Sequence, residues 1–182
     1  QVVDAVTGAT LGDEQPGELC TRGHVVMLGY YNMPEQTAKA MDAEGWLHTG
    51  DIAIRQADGY YRITGRIKDM VIRGGENIYP REIEEFLYTH PAIQDVAVVG
   101  VPDPKFIEEL ACWIRLKPGM SLSEQELRTF CQGYLAHYKI PKHVRFVNEF
   151  PQTVTGKIQK FKIREAMIED LGLGQVAQRE TA

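Results

Sequence analysis

The chain has 182 residues, a formal net charge of −5 at pH 7, 43% hydrophobic residues and 25% charged residues. This composition is typical of a globular protein with a core of ordinary size, and its mild acidity argues against nucleic acid or a membrane surface as the main partner. No apolar run is long enough to form a transmembrane segment. The three cysteines lack CxxC spacing, so we expect reduced thiols in a cytoplasmic protein.

The first 64 residues are glycine-punctuated and are predicted to form mainly strands and turns. The predicted elements are strands at 18–21, 25–31, 46–48, 52–55 and 60–64, and a helix from Pro34 to Met41. Ala57-Asp58-Gly59 is a hairpin signal, because Asp-Gly readily adopts the turn that joins two antiparallel strands.

From Pro80 onwards the apolar residues follow a helical period that alternates with buried strands. A short apolar strand is predicted before Gly74-Gly75. The elements predicted after it are helices at 80–90, from Ser123 onwards and at 160–171, and strands at 93–101, 111–116 and 144–147. Ser123 and Glu126 have capping-box spacing, and Leu122 and Leu127 are placed as a hydrophobic staple. We therefore predict an α+β fold, in which a β-rich part is followed by a small domain with a short sheet flanked by helices.

Two stretches of the β-rich part carry candidate ligand-binding groups. Thr49-Gly50-Asp51 places a carboxylate after a glycine, and its two oxygens can accept both hydrogens of a vicinal diol such as a ribose. Arg66, at the end of a predicted strand, can donate to ribose or phosphate. The alternatives are an aspartate that caps a turn and an arginine that is merely solvated.

The second part offers a glycine pair and a lysine. Gly74-Gly75 permits positive φ and close approach of an extended ligand, or is simply a tight turn into a helix. Lys157 ends the polar loop Thr153-Val154-Thr155-Gly156, where its charge can meet a phosphate and a carboxylate together, unless it is one more solvated lysine. A larger basic set is either a solvated face or an attractor of polyanions: Lys139, Lys142, His143, Arg145, Lys157, Lys160, Lys162 and Arg164. The five histidines show no metal spacing, and we predict no metal site.

Taken together and in order, these stretches resemble the adenylate-forming superfamily of acyl-CoA synthetases, adenylation domains and luciferases. The matching segments are 17–23, 29–31, 46–51, 65–69, 74–78, 80–84, 138–141 and 151–158. They cover nearly the whole chain apart from its tail. The segment Ile72–Pro80 is most similar to fatty-acyl-CoA synthetases.

The resemblance implies a domain organisation and a set of roles. It implies that residues 1–66 end a large N-terminal domain, 67–69 form a hinge, 70–172 form a mobile C-terminal domain and 173–182 form a flexible tail. It assigns nucleotide binding to Asp51 and Arg66, the pivot of the hinge to Lys68, and catalysis of adenylation to Lys157. It assigns CoA or pantetheine binding to Gly74, Gly75 and Glu76.

The implied reaction joins a carboxylic acid, here a fatty acid, to CoA at the expense of MgATP, with no covalently bound cofactor. The family's phosphate loop and acyl pocket lie upstream of this segment, so the segment alone is expected to be inactive. Two other functions stay open: an adenylation domain that loads a carrier protein, and a non-catalytic module that binds CoA or a partner. The chain departs from the family at Phe106-Ile107-Glu108, where glycine is usual at the middle position.

Overall fold

The first 68 residues form one unit around a four-stranded antiparallel sheet in the computed structural model, which describes residues 1–176. Its elements are β1 (Val2–Val3), β2 (Pro16–Thr21), α1 (Pro34–Ala40), β3 (Leu47–Arg55) and β4 (Tyr61–Arg66). The sheet order is β1-β2-β3-β4. The turn at Asp58-Gly59 joins β3 to β4, as the sequence predicted, with Gly59 at φ +87°.

Two strand predictions in this unit are wrong. The segment 25–31 consists of turns and bends, because its apolar residues find no sheet partner and both Val25 and Leu28 are exposed. The two short strands predicted around Thr49-Gly50-Asp51 are one continuous strand, β3. That strand accommodates Gly50 at φ +71° through a register shift against β2, between the pairs Glu18–Ile52 and Cys20–His48.

The second unit begins at Asp69, directly after Lys68 in the short 3₁₀ turn Ile67–Asp69. Its elements are β5 (Val71–Arg73), β6 (Glu76–Ile78), α2 (Pro80–Leu87), β7 (Ile93–Asp103), β8 (Ile107–Leu116), α3 (Glu124–Cys131), β9 (His143–Phe146) and α4 (Lys160–Asp170). The sheet runs β6-β5-β8-β7, and β9 pairs with β8 in parallel. The predicted α+β fold class is thereby confirmed. Of the predicted tail, residues 174–176 form a helical turn, and 177–182 lie outside the described residues.

Helices cover both faces of this second sheet, because successive side chains of β7 point to opposite sides. Val96 and Val98 belong to one core with residues of α2 and α3, such as Ile83 and Leu127. The other core is built on the opposite face and includes Ala97, Val99, Val101, Ala111, Phe150, Ile163 and Met167. Helix α4 supplies the last two of these residues, so it completes the second core.

The start of α3 follows its predicted pattern closely. The backbone N–H of Glu126 donates to the Ser123 hydroxyl at 3.3 Å, and the Ser123 N–H donates to the Glu126 carboxylate at 2.8 Å. Leu122 and Leu127 are buried in the same core, as a hydrophobic staple requires. The helix ends at Cys131, so Tyr134 lies beyond it, with its ring stacked 5.6 Å from that of Phe86.

Ile107, which replaces the usual glycine, has a backbone conformation that suits glycine. Its φ is +72°, a region in which the Cβ of an L-residue crowds the backbone, and β-branched residues are rarest there. The side chain is 55% exposed, so little burial compensates for this strain. The isoleucine therefore adopts the left-handed conformation that a glycine would adopt without strain.

We expect Ile107→Gly to raise the free energy of unfolding by about 1 kcal/mol, since glycine relieves strain of about 1–2 kcal/mol and costs some entropy in the unfolded chain. Urea denaturation followed by circular dichroism measures this change. The control is Ile72→Gly in β5, where φ is not positive and the same substitution should destabilise. A loss of stability in Ile107→Gly equal to that of the control would contradict the strain.

Candidate functional site

The Thr49-Gly50-Asp51 segment of β3 is held in place by β2. The Thr49 hydroxyl donates to the carbonyl of Leu19 at 2.8 Å and accepts from the Asp51 N–H at 3.1 Å. The Gly50 N–H donates to Glu18 Oε1 at 3.0 Å. These contacts fix the backbone that carries the Asp51 carboxylate.

Asp51 and Arg66 are directly opposite each other on β3 and β4. Arg66 Nε donates to Asp51 Oδ1 at 2.8 Å, and the two side chains are 54% and 28% exposed. Within residues 1–176, Oδ2 of Asp51 accepts no hydrogen bond. The structure thus brings together the two predicted nucleotide-binding residues, with a carboxylate oxygen available to a hydroxyl from solution.

Next to this segment lies a cluster of three side chains that the sequence did not predict. His48 Nδ1 is 2.8 Å from Glu18 Oε2 and 3.5 Å from Cys20 Sγ. Burial, followed by the charge of Glu18, raises the pKa of the Cys20 thiol to about 11. Only the strand register could have revealed this cluster from the sequence, because Cys20 on β2 pairs with His48 on β3.

Gly74, Gly75 and Glu76 lie together on the β5–β6 hairpin. The two glycines have φ of +59° and +91°, as a two-residue hairpin turn with positive φ at both positions requires. The Gly74 N–H donates to the carbonyl of Phe106 at 2.9 Å, and a Cβ on Gly74 would lie 3.3 Å from the Phe106 ring. All three residues are exposed, so this hairpin is accessible to an extended ligand.

An ion pair anchors the base of that hairpin. Arg73 donates to both carboxylate oxygens of Glu109, at 2.7 and 2.9 Å, and Glu109 is buried. The Arg73 guanidinium also lies over the ring of Phe106, 4.4 Å from its centroid. The hydrogen bond to Glu109 raises the pKa of Arg73, while burial works in the opposite direction.

Lys157 lies on a separate tight loop of the second unit. The loop closes through a hydrogen bond from the Thr153 N–H to the Lys157 carbonyl at 2.9 Å, with Gly156 at φ +81°. The Lys157 N–H donates to the Thr153 hydroxyl at 3.1 Å. The side chain is exposed, and its ammonium has no partner among the residues that the structure describes.

Most other members of the predicted basic set differ from Lys157 because a carboxylate neutralises them. The pairs are Lys139 with Glu82, Lys142 with Asp103, Arg145 with Asp170, Lys160 with Glu84 and Arg164 with Glu108. This pairing favours a solvated, mixed-charge face over an attractor of polyanions.

His143 belongs to the same basic set, but its imidazole is harder to protonate than that of an ordinary histidine. Burial, followed by the positive charge of Lys142, lowers the pKa of its imidazole from the ordinary value of 6.5. The unfolded chain therefore binds a proton more readily than the folded chain. The stabilisation by neutral His143 is present above pH 6.5 and is lost as the pH falls from 6.5 through the folded pKa.

We expect the free energy of unfolding to fall less between about pH 7.5 and 5.5 in His143→Gln than in the original chain. Urea denaturation at the two pH values measures the difference. An NMR titration of the imidazole gives an independent readout, and a His143 midpoint above 6.5 would contradict the assignment.

Comparison with known proteins defines the class. Residues 82–157 match the family described as AMP-binding enzyme C-terminal domain. Over these residues the chain belongs to that family, and it corresponds to the C-terminal portion of adenylate-forming enzymes, as the sequence predicted.

Two named relatives are an acyl-CoA synthetase and an acyl-CoA ligase. The chain is 61% identical over 157 residues to YngI of Bacillus subtilis (strain 168), which is provisionally named an acyl-CoA synthetase. The aligned region covers 86% of this chain and 29% of YngI. It is 50% identical over 173 residues to the mitochondrial medium-chain acyl-CoA ligase ACSF2 of Bos taurus, with 95% of the chain and 28% of that protein covered. The chain thus spans less than a third of the length of these relatives.

Solved structures agree with this class. ATP-bound MatB from Rhodopseudomonas palustris superimposes with a TM-score of 0.87 at 36% identity, over 93% of this chain and 34% of that one. The o-succinylbenzoate-CoA synthetase MenE from Bacillus subtilis, in complex with its acyl-adenylate, gives a TM-score of 0.83 at 29% identity. The match covers 90% of this chain and 33% of MenE. No helix within residues 1–176 is long and apolar enough to cross a bilayer.

Proposed function

We propose that this chain is the C-terminal part of an AMP-forming ligase that activates a fatty acid with ATP and transfers the acyl group to CoA. The observation that carries the proposal is the solvent-accessible Asp51–Arg66 pair across β3 and β4, which suits a ribose diol and a neighbouring phosphate. The likeness to acyl-CoA ligases supports the choice of acid and acceptor.

The reaction has two displacements. A carboxylate oxygen of the acid attacks the α-phosphorus of ATP, forming the acyl-adenylate and releasing pyrophosphate. The thiol of CoA then attacks the acyl carbon, and AMP leaves as the thioester forms. Mg²⁺ would enter with ATP and offset the charge of the triphosphate, and we assign no residue of this chain to hold it.

The residues divide between the two displacements. Asp51 and Arg66 hold the nucleotide throughout, and Lys157 stabilises the charge that forms between carboxylate and phosphate in the first step. The exposed hairpin of Gly74, Gly75 and Glu76 lines the path of the pantetheine in the second step. We place the pivot at Lys68, the last residue of the first unit, since one mobile domain can serve two transition states in turn.

The test is the full-length enzyme that contains this segment, supplied with ATP, a series of fatty acids and either CoA or a pantetheinylated carrier protein. Formation of acyl-CoA with release of AMP is the expected result. Acyl transfer to the carrier protein alone would identify a carrier-loading adenylation domain instead.

The isolated 182-residue chain provides the matching control. It should show no ATP–pyrophosphate exchange, because Asp51, Arg66 and Lys157 serve the ribose and the reacting phosphate but do not enclose the rest of the triphosphate. It should also bind CoA only weakly in titration calorimetry. Tight binding of CoA by the isolated chain would favour a non-catalytic binding module.

A further inference from the structure

We propose that Glu18, Cys20 and His48 form a binding site for one divalent transition-metal ion of the Zn²⁺ type. Each of them offers one ligand atom, and the three atoms all lie within 4.8 Å of one another. Thiolate, imidazole and carboxylate are the three side-chain groups that bind Zn²⁺ in proteins. The sequence predicted no metal site because positions 18, 20 and 48 follow no spacing motif.

The geometry fits a tetrahedral ion. Zn–S and Zn–N bonds of about 2.3 and 2.0–2.1 Å place sulfur and nitrogen about 3.5 Å apart in a tetrahedral shell. Cys20 Sγ and His48 Nδ1 are 3.5 Å apart. Glu18 Oε2, now hydrogen-bonded to the same nitrogen at 2.8 Å, would retreat by about half an ångström to become the third ligand.

Surrounding groups supply the remaining requirements of such a site. The other ring nitrogen of His48, Nε2, lies 3.9 Å from Asp42 Oδ2, so a shift of about 1 Å would form the hydrogen bond that orients a metal-bound imidazole. A cavity of about 490 Å³ borders Glu18 and His48 and leaves room for a water molecule as the fourth ligand. The described residues contain one such group of three or more metal-ligating side chains.

Metal binding would also affect the proposed nucleotide site, a consequence that rests on the proposed function. Glu18 uses Oε2 for the cluster and Oε1 for the N–H of Gly50. An ion that fixes this carboxylate would therefore stiffen the part of β3 that carries Asp51. The metal ion would thus stabilise the backbone at Gly50, next to the proposed ribose-binding carboxylate of Asp51.

Titration of the metal-free, reduced 182-residue chain with Co²⁺ tests the site. We expect one equivalent to bind with the thiolate-to-cobalt charge-transfer absorption and the intense visible bands of tetrahedral Co²⁺. Cys20→Ser should abolish the charge-transfer band, and both Cys20→Ser and His48→Gln should weaken binding at least about tenfold. The matched control is Cys131→Ala, which removes a buried thiol of the second unit and should leave the spectrum unchanged.

X-ray absorption of the original chain loaded with one equivalent of Zn²⁺ gives a readout that needs no variant. A shell of one sulfur and two or three nitrogen or oxygen atoms supports the site, and a sulfur-free shell overturns it. Absence of a charge-transfer band, or its survival in Cys20→Ser, also overturns the proposal. None of these measurements depends on ligase activity. Failure of the metal site can therefore be distinguished from failure of the proposed function.

Discussion

Replacing Lys157 by alanine in the full-length enzyme is expected to lower the rate of adenylation by about 10²- to 10³-fold, as loss of a preorganised charge partner typically does. The ammonium has no carboxylate partner among the described residues, so it is available to a phosphate and a substrate carboxylate. Thioester formation from supplied acyl-adenylate and CoA should largely survive, because the proposed role of Lys157 is confined to the first displacement. ATP–pyrophosphate exchange measures the first step, and acyl-CoA release measures the second.

Lys162→Ala is the control for this experiment. Lys162 is also exposed and lies near the start of α4, so its removal changes the net charge equally. It should leave both half-reactions close to their original rates. Equal losses of the two half-reactions in Lys157→Ala would show that the lysine has no step-specific role.

Replacing Glu109 by alanine is expected to destabilise the second unit by about 3–5 kcal/mol, because it leaves the charge of Arg73 largely buried without its partner. The Glu109 side chain is 3% exposed and that of Arg73 is 16% exposed, so water cannot replace the lost carboxylate fully. Urea denaturation measures the change. Trp113 fluorescence reports this unit alone when Trp46, the other tryptophan, is replaced by phenylalanine.

The matched control is Glu85→Ala, which breaks an ion pair on the surface of α2. Glu85 accepts from Arg81 Nε at 2.7 Å, but the two side chains are 60% and 49% exposed. Its removal should cost only about 0.3–0.5 kcal/mol, as for other exposed pairs four residues apart. A similar effect of both substitutions would mean that burial of the Arg73–Glu109 pair adds nothing.

Local signals in the sequence predicted several elements well. The capping box at Ser123 and Glu126, the turn at Asp58-Gly59 and the start of α2 at Pro80 each depend on residues within a few positions of one another. Such contacts form from the local chain alone, so their residue patterns identify them directly. The same holds for the Gly74-Gly75 turn, where both residues need positive φ.

Features that depend on distant partners could not be predicted. The segment 25–31 has the composition of a strand, but a strand needs a neighbour, and none is present in the described structure. Glu18 and His48 are 30 positions apart, and Arg73 and Glu109 are 36 apart. Their contacts follow from sheet register, which alternation alone does not determine for strands interrupted by a glycine such as Gly50.

The position of α4 sets a practical limit on how far the chain can be shortened. The family match ends at residue 157, yet Ile163 and Met167 of α4 complete the core on one face of the second sheet. A version trimmed to the matched region would uncover Ala97, Val99 and Val101, three small apolar side chains on one face of β7. Such an exposed apolar patch favours self-association, so a recombinant form of this unit must include α4 to remain monomeric.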